Sequence, residues 1–230
     1  MVAIMVTGSD NSQRRAAFEA LLRVRGVIDP RILHAMRTVP RHLFVPPELE
    51  RRAYADEPLP VAPGKTISQP FIVATMTELA ELEAGDHVLE IGTGTGYQAA
   101  VLAELVESVD TVESDAALAA QSRERLARMC YRNIRVHHAD GFHGYAPGAP
   151  YDAILVTCAI PSIFAPLASQ LAIGGRLVAP VGPPDGVQML RVYEKQPDGK
   201  LTHRDIFQVR FVPFVRTPID DVAAADGSSN

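Results

Sequence analysis

The sequence predicts an α/β protein: a mostly parallel, doubly wound, Rossmann-like sheet with an N-terminal helical extension and an antiparallel C-terminal hairpin. Three observations carry that expectation. Between residues 85 and 182, short apolar strand-like runs alternate with helix-length segments, the pattern of βαβ units and of a parallel sheet covered on both faces. "VLEIGTGTGYQAA", residues 88–100, sets a glycine turn between the first of those strands and its helix. Near the end, "QPDGK" joins two strand-like runs with no room for a crossover helix, so the sheet finishes in an antiparallel pair.

The elements follow in order. Residues 12–45 read as helical: Phe18, Leu21 and Leu22, then Ile32, Leu33 and Met36, recur at spacings of three and four, and Asp29-Pro30 supplies a cap and first turn. Pro40, Pro46 and Pro47 break that pattern, and "EPLPVAPGK", with three more prolines, is expected to be extended and loop-like. A helix is expected over 71–83, with Ile72, Met76, Leu79 and Ala80 on one face. Strands are expected in "HVLEIG", "SVDTVES", "IRVHHAD", "YDAILVTCA" and "GGRLVAPVG", separated by helices through "YQAAVLAELV", "AALAAQSRERLARM" and "FAPLASQLA". "VQMLRVYEK" and "LTHRDIFQVRFVPF" form the closing pair. Residues 1–82 are thus a helical and loop segment, 83–220 the sheet-bearing core and 221–230 a disordered tail, in one domain overall.

The chain has 230 residues, 47% hydrophobic and 21% charged, with a net charge of −5. That balance supports a real core and argues against a dedicated nucleic-acid binder, which carries a basic excess. Cys130 and Cys158, the only cysteines, make neither a disulfide framework nor a metal-ligand spacing. The start, "MVAIMVTGSDNSQRR", lacks a basic n-region and has too short an apolar run for a membrane span. The expectation is a soluble cytoplasmic protein without a metal. His137 and His138 face opposite sides of a strand and cannot chelate one ion together. Arg41-His42 reads as a structural turn, and the arginines from 123 to 135 as a solvated helix face and its exit.

The glycine turn suggests a ligand. Gly92, Gly94 and Gly96 let the backbone pass close to one, and the new helix offers unpaired N–H groups. Glu113 ends the next strand about 20 residues on, where an acid can accept from ribose hydroxyls. A dinucleotide or flavodoxin-like fold remains open on the turn alone. The spacing, however, is G-x-G-x-G rather than G-x-G-x-x-G, Glu90 precedes the first glycine by two residues, and Asp140-Gly141 follows the third strand. Three carboxylates with no nearby Arg or Lys would repel a diphosphate and accept a zwitterion carrying an amino group, a ribose and an adenine. S-adenosylmethionine (SAM) fits that pattern. Each acid also has a plainer reading: Glu90 and Glu113 as rim residues, Asp140 as a turn former.

"AMRTVPRHLFVP", "TISQPFIVATMTELAEL", "GDHVLEIGTGTGYQAAVLAEL", "VHHADG", "YDAILVTCA", "GGRLVAPVG" and "VRFVPF" together resemble the protein-L-isoaspartate (D-aspartate) O-methyltransferase family over nearly the whole chain. The turn is common to many methyltransferases, whereas "TISQP" ahead of it is specific. The resemblance implies a seven-stranded SAM-dependent methyltransferase sheet with a modified strand order near its end. It also implies methylation of the free α-carboxylate of L-isoaspartyl and D-aspartyl residues in damaged proteins, which starts repair through a succinimide. It makes Ser68 the catalytic residue and Thr66, Ile67 and Ser68 the substrate-binding set. Glu90, Gly92, Thr93, Gly94, Gly96, Glu113, Asp140 and Gly141 become the cofactor-binding set. The substrates implied are isoaspartyl proteins in flexible segments, and family members are commonly monomers. Cys158 departs from the alanine more usual there. A methyltransferase dedicated to one biosynthetic peptide, and a non-catalytic SAM-binding protein, are the alternatives.

The chemistry gives the hydroxyls of "TIS" a purpose. A carboxylate is already ionised at neutral pH, so methyl transfer needs alignment rather than a base. Neutral donors can orient it without blunting its attack, and Pro63 and Pro70 stiffen the loop. Read from the residues alone, Ser68 serves equally well as a cap for the helix starting near Pro70; the resemblance favours the orienting role.

Overall fold

Local chemistry starts the N-terminal helices. In the computed structural model, which describes residues 7–216, α1 runs Thr7–Val24 and α2 Pro30–Thr38. Asp29 caps α2, accepting the Arg31 N–H at 2.7 Å. Pro30 occupies the first helical turn, where its missing N–H costs nothing. The helix does not continue to residue 45. Val39, ahead of Pro40, leaves helical geometry, as the proline ring demands of its neighbour, and Arg41–Phe44 make a single 3-10 turn. The expected tail, 221–230, lies outside the described residues.

The proline-rich stretch is not a loop but a hairpin. Leu59–Ala62 (β1) and Lys65–Ile67 (β2) pair antiparallel around Pro63-Gly64. Two strands have only outer edges, so a proline can turn its donor-less side outward. The next helix, α3, spans Pro70–Leu79 and stops short of residue 83, with Glu81 in the left-handed region at φ 49°.

The sheet-bearing part comprises β3 (His87–Ile91), α4 (Tyr97–Ala103), β4 (Ser108–Glu113), α5 (Ala116–Arg128), β5 (Ile134–His138), β6 (Tyr151–Val156), α6 (Ala165–Gln170), β7 (Leu171–Val181), β8 (Gln188–Lys195) and β9 (Leu201–Val209). The strand order is β5-β4-β3-β6-β7-β8-β9. The strands from β3 to β7 are parallel, and β8 runs antiparallel to both β7 and β9. Helix α6 is shorter than expected because Leu171 joins β7, pairing with Tyr151. The chain winds outward from β3 to β5 and then restarts at β6 on the other side. A crevice therefore opens between the carboxyl ends of β3 and β6, where open α/β sheets bind ligands.

Both faces of the sheet are covered. Met76 of α3 and Leu102 of α4 pack with Val88, Val109 and Leu155 on one face; Leu167 of α6 joins Leu89, Ile91 and Val112 on the other. A further cluster unites Phe18, Leu33 and Met36 with Tyr97, Val101 and Leu126, so the N-terminal helices pack onto the same body that carries the glycine turn. Among the described residues no helix is long and apolar enough to cross a membrane.

Strand alternation sorts the polar residues of β4: Thr111 and Glu113 share one face and Asp110 takes the other. Asp110 is fully buried and accepts hydrogen bonds from His87 Nε2 at 2.9 Å, His137 Nε2 at 2.7 Å and the Tyr151 hydroxyl at 3.2 Å. His138, on the opposite side of β5, meets the Ser114 carbonyl instead. Burial pushes the Asp110 carboxyl up, but the bonds from His137 and His87 outweigh it and hold the group below its ordinary value. A depressed carboxyl stabilises the fold above its unfolded value, near 4, and that contribution fades as pH falls through the folded value. Asp110→Asn is expected to destabilise the protein by about 2–3 kcal/mol at neutral pH and to flatten the loss of stability below about pH 4. Urea titrations at a series of pH values check both.

Candidate active site

The glycine turn lies at the crevice. Gly92 has φ +99°, and a Cβ there would sit 2.5 Å from Thr157 Oγ1, so any side chain would collide with the hydroxyl that donates to the Ile91 and Gly92 carbonyls. Gly94, at φ +52°, meets no atom within 4 Å of a built Cβ; its backbone faces the open cleft. Gly96 is not part of the lining. It serves behind the turn as the N-cap of α4, close against Leu126 of α5. The cleft is open to solvent, and the glycine turn, Glu90, Glu113 and the Lys65–Ser68 segment all line it.

Glu90 forms the cleft's acidic floor. It is fully buried, pairs in register with Thr111, and takes the Thr111 hydroxyl on Oε2 at 2.5 Å. Its Oε1 has no hydrogen-bond partner. Thr111 has one proton to give, so the 2.7 Å contact between the Thr93 and Thr111 hydroxyls is a donation from Thr93 whenever Glu90 is ionised. Burial, with Glu113 nearby, pushes the Glu90 carboxyl up to about 8. A buried carboxylate oxygen left without a partner at a cleft floor fits a cation in the ligand.

Glu113, at the carboxyl end of β4, accepts the Gly94 N–H at 2.8 Å on Oε2 and the Asp115 N–H at 3.1 Å on Oε1. It therefore shapes the turn, with lone pairs to spare for ribose hydroxyls. Helix α5 braces the turn from behind. Ser122 donates to the Gly94 carbonyl at 2.5 Å and Arg125 to the Thr95 carbonyl at 2.8 Å. Arg123 reaches the Val136 carbonyl. The expected solvated face holds for Arg123, Arg128, Arg132 and Arg135, which are exposed; Arg125 is the exception, half-buried and turned back onto the glycine turn.

The acidic set is also less isolated than its sequence neighbourhood implies. Lys65 lines the cleft, and Arg216 donates to Asp140 Oδ2 at 2.8 Å with its guanidinium 4.0 Å above the Phe142 ring. Asp140 also caps the short turn at Gly141–His143 through the Phe142 N–H. Gly141 lines the cleft; Asp140 does not. Arg216 comes from a strap that sequence periodicity assigns to the last strand. After Val209 the chain leaves the sheet and bonds to Ala159, with Ala159 N–H to Val212 O at 2.8 Å and Phe214 N–H to Ala159 O at 2.9 Å. Val212, Phe214 and Val215 thus wall the cleft.

The opposite wall is the β2–α3 connection. Thr66 is exposed, Ile67 is buried and Ser68 is half-buried, the alternation of a strand reaching over an edge. Ser68 is not the cap of α3. The cap position is Gln69, which makes no capping bond through its side chain. The Phe71 N–H goes to Asp56 Oδ1 at 3.0 Å, and Gln69 Nε2 holds the other Asp56 oxygen at 2.9 Å. Among the described residues the Ser68 hydroxyl makes no hydrogen bond, although the Ser68 carbonyl accepts from Arg41 at 2.7 Å. Thr66, Ser68, Thr157 and Val212 line both the cleft and a second groove that continues past Gln69 and Arg210.

Sequence reasoning overlooked Thr157 and the strap's exit from the sheet. A threonine at the carboxyl end of a strand beside the switch point was a readable signal for the first. The exit had none, because the residues of the strap alternate as a strand's do. Arg41 does sit in a structural turn, as expected, and its side chain is wholly buried there.

Cys158 also lines the cleft. Burial, helped by Glu113 and opposed by Lys65, pushes its thiol up to about 12, so it is no nucleophile at neutral pH.

An acidic floor with an unpartnered oxygen beneath an open glycine backbone suits a cationic nucleoside, and on this sheet it places the chain among the Rossmann-like SAM-dependent methyltransferases. Comparison narrows the class. The family model of protein-L-isoaspartate(D-aspartate) O-methyltransferase (PCMT) matches residues 12–218. A protein-L-isoaspartate O-methyltransferase of Methanoculleus marisnigri is 51% identical over 203 residues, covering 88% of this chain and 91% of its own. One of a Synechococcus species is 52% identical over 210 residues, covering 89% and 86%. Among solved structures, a protein-L-isoaspartate O-methyltransferase superposes with a TM-score of 0.79 at 28% identity, over 86% of this chain and 65% of that longer one. A Plasmodium falciparum structure holding S-adenosyl-L-homocysteine shares the fold at 22% identity, with a TM-score of 0.76 over 88% of this chain and 99% of that one. The chain belongs to the protein-L-isoaspartate(D-aspartate) O-methyltransferase family.

Proposed function

We propose that cleft and groove together carry out the family's reaction, SAM-dependent methylation of the free α-carboxylate of L-isoaspartyl and D-aspartyl residues in proteins, with Ser68 as the catalytic contact. The observation that carries this reading is the junction: Thr66 and Ser68 stand where the cofactor cleft meets the second groove. Bound SAM supplies a methyl group on a sulfonium, so that a carboxylate oxygen gains the new C–O bond while the C–S bond breaks and its electron pair stays on sulfur. The chain's part is placement. The Ser68 hydroxyl donates to the acceptor carboxylate and turns one oxygen toward the cleft; Thr66 supplies a second donor, and buried Ile67 anchors the strand between them. Glu90 meets the ligand's cationic portion and Glu113 its ribose hydroxyls. Gly92, Thr93, Gly94 and Gly96 give the turn its shape, and Gly141 bounds the far side, with Asp140 behind it held by Arg216.

The substrate is a flexible segment, since only such a chain can lie along an open groove with its backbone accessible. We take the protein to act as a monomer in the cytoplasm, in keeping with its free cysteines. The test pairs an isoaspartyl peptide with its normal aspartyl twin and measures methyl transfer from labelled SAM. Strong preference for the isoaspartyl form is expected; equal transfer to both, or to neither, overturns the reading. Glu113→Ala is expected to weaken cofactor binding by roughly 1–3 kcal/mol, read by isothermal titration. Unchanged affinity would remove Glu113 from the site.

A further inference from the structure

Among the described residues Arg41 is the most deeply buried cation, at 0% exposure, and its hydrogen bonds go to backbone carbonyls rather than to a carboxylate. Nε donates to the Ala53 carbonyl at 2.8 Å, Nη2 to the Ser68 carbonyl at 2.7 Å, and the guanidinium lies 4.7 Å above the ring of Tyr97. Nη1 is buried with no partner. Burial pulls the group's pKa down. Such a charge costs several kcal/mol to hold away from water, and packing alone would be served as well by an apolar side chain. The location supplies a reason. Ser68 belongs to the acceptor loop, and Tyr97 opens α4 directly after the glycine turn and lines the cofactor cleft. One planar fork therefore spans both halves of the site.

The bond to Ser68 has a geometric consequence. In a trans peptide the carbonyl and the following N–H point in opposite directions. With the Ser68 carbonyl held by Arg41, the Gln69 N–H projects away from the guanidinium, and among the described residues it meets no acceptor. Ser68 and Gln69 both line the second groove. A charge-assisted bond on the carbonyl also polarises the peptide and strengthens its N–H as a donor.

We propose that Arg41 is a positioning residue for methyl transfer: its fork fixes the Ser68–Gln69 peptide so that the Ser68 hydroxyl and the Gln69 N–H together face the acceptor carboxylate. The inference rests on the Ser68 reading above. Lysine keeps the charge but not the fork, so Arg41→Lys separates the two.

The experiment measures kcat and KM on an isoaspartyl peptide and S-adenosylhomocysteine affinity by titration, for wild type, Arg41→Lys, Ser68→Ala and the double variant. Arg41→Lys is expected to lose about tenfold or more in kcat with cofactor affinity within about threefold, and the double variant to be little worse than Ser68→Ala alone, because both changes disable one unit. Unchanged kcat, multiplicative losses in the double variant, or parallel losses of kcat and cofactor affinity overturn the proposal. If Arg41→Lys does not fold, Arg41→Gln takes its place; failure of both to fold assigns Arg41 to stability alone and also overturns it. A wild type inactive on the isoaspartyl peptide would instead sink the functional reading itself.

Discussion

Ser68→Ala lowers kcat by tenfold or more and leaves cofactor affinity within about threefold, equivalent to at least about 1.4 kcal/mol of lost transition-state stabilisation. The asymmetry follows from where the hydroxyl stands. It lines the junction of cleft and groove, it caps no helix, and it makes no bond within the described residues. Removing it therefore costs the fold little. What is lost is the alignment of an acceptor that is already charged and needs no base, so only geometry limits its attack. KM is expected to change less than kcat, since groove contacts along the peptide remain. Initial rates on an isoaspartyl peptide, with titration of S-adenosylhomocysteine and a melting curve as companions, decide the matter. Wild-type turnover in the variant would end the orienting role.

The second large effect belongs to Glu90. Its carboxyl, pushed up to about 8 by burial in the ligand-free protein, is held protonated over most of the physiological range. A raised folded-state value means a contribution to stability that is full below the unfolded value of 4.5 and is lost as pH rises toward about 8, at a slope of up to about 1.4 kcal/mol per pH unit. Glu90→Gln keeps the shape, retains an acceptor for Thr111 and abolishes that slope, so the ligand-free variant is expected to melt higher than wild type at pH 8. Cofactor affinity should move the other way, falling roughly 10- to 100-fold with the loss of a charge-assisted contact to the unpartnered Oε1. A site that is strained until filled is a common trade between stability and activity. Melting curves from pH 5 to 8.5 and titrations at pH 8 provide the check; a variant that binds as tightly as wild type rules out a cationic partner for Glu90.

Much of this was legible in the residues because it depends on short-range pattern. The alternation from residue 85 onward sets strands, helices and the parallel sheet, and "EIGTGTG" places acid, glycines and helix start within one turn of chain. The motif ahead of Pro70 marked Thr66 and Ser68. The misreadings share a different character. Pro60 and Pro63 looked like loop markers, yet β1 and β2 pair because a two-strand hairpin leaves a proline a free edge. Arg125 looked solvated, yet it reaches back to the Thr95 carbonyl. "QVRFVPF" alternates like a strand, yet after Val209 it pairs with Ala159 and carries Arg216 to Asp140, 76 residues away in the chain.

The sequence by itself determined the order of elements from residue 85 onward, the acid-glycine turn and the family chemistry, since each is written in neighbouring residues whose backbone preferences and periodicities act locally. The tertiary structure alone decided that Glu90 keeps an oxygen without a partner, that the strap walls the cleft and that a buried arginine grips the Ser68 carbonyl. Burial, desolvation and hydrogen bonding between distant segments come into being only when the chain is packed, and no local pattern encodes which carbonyl a long side chain will find.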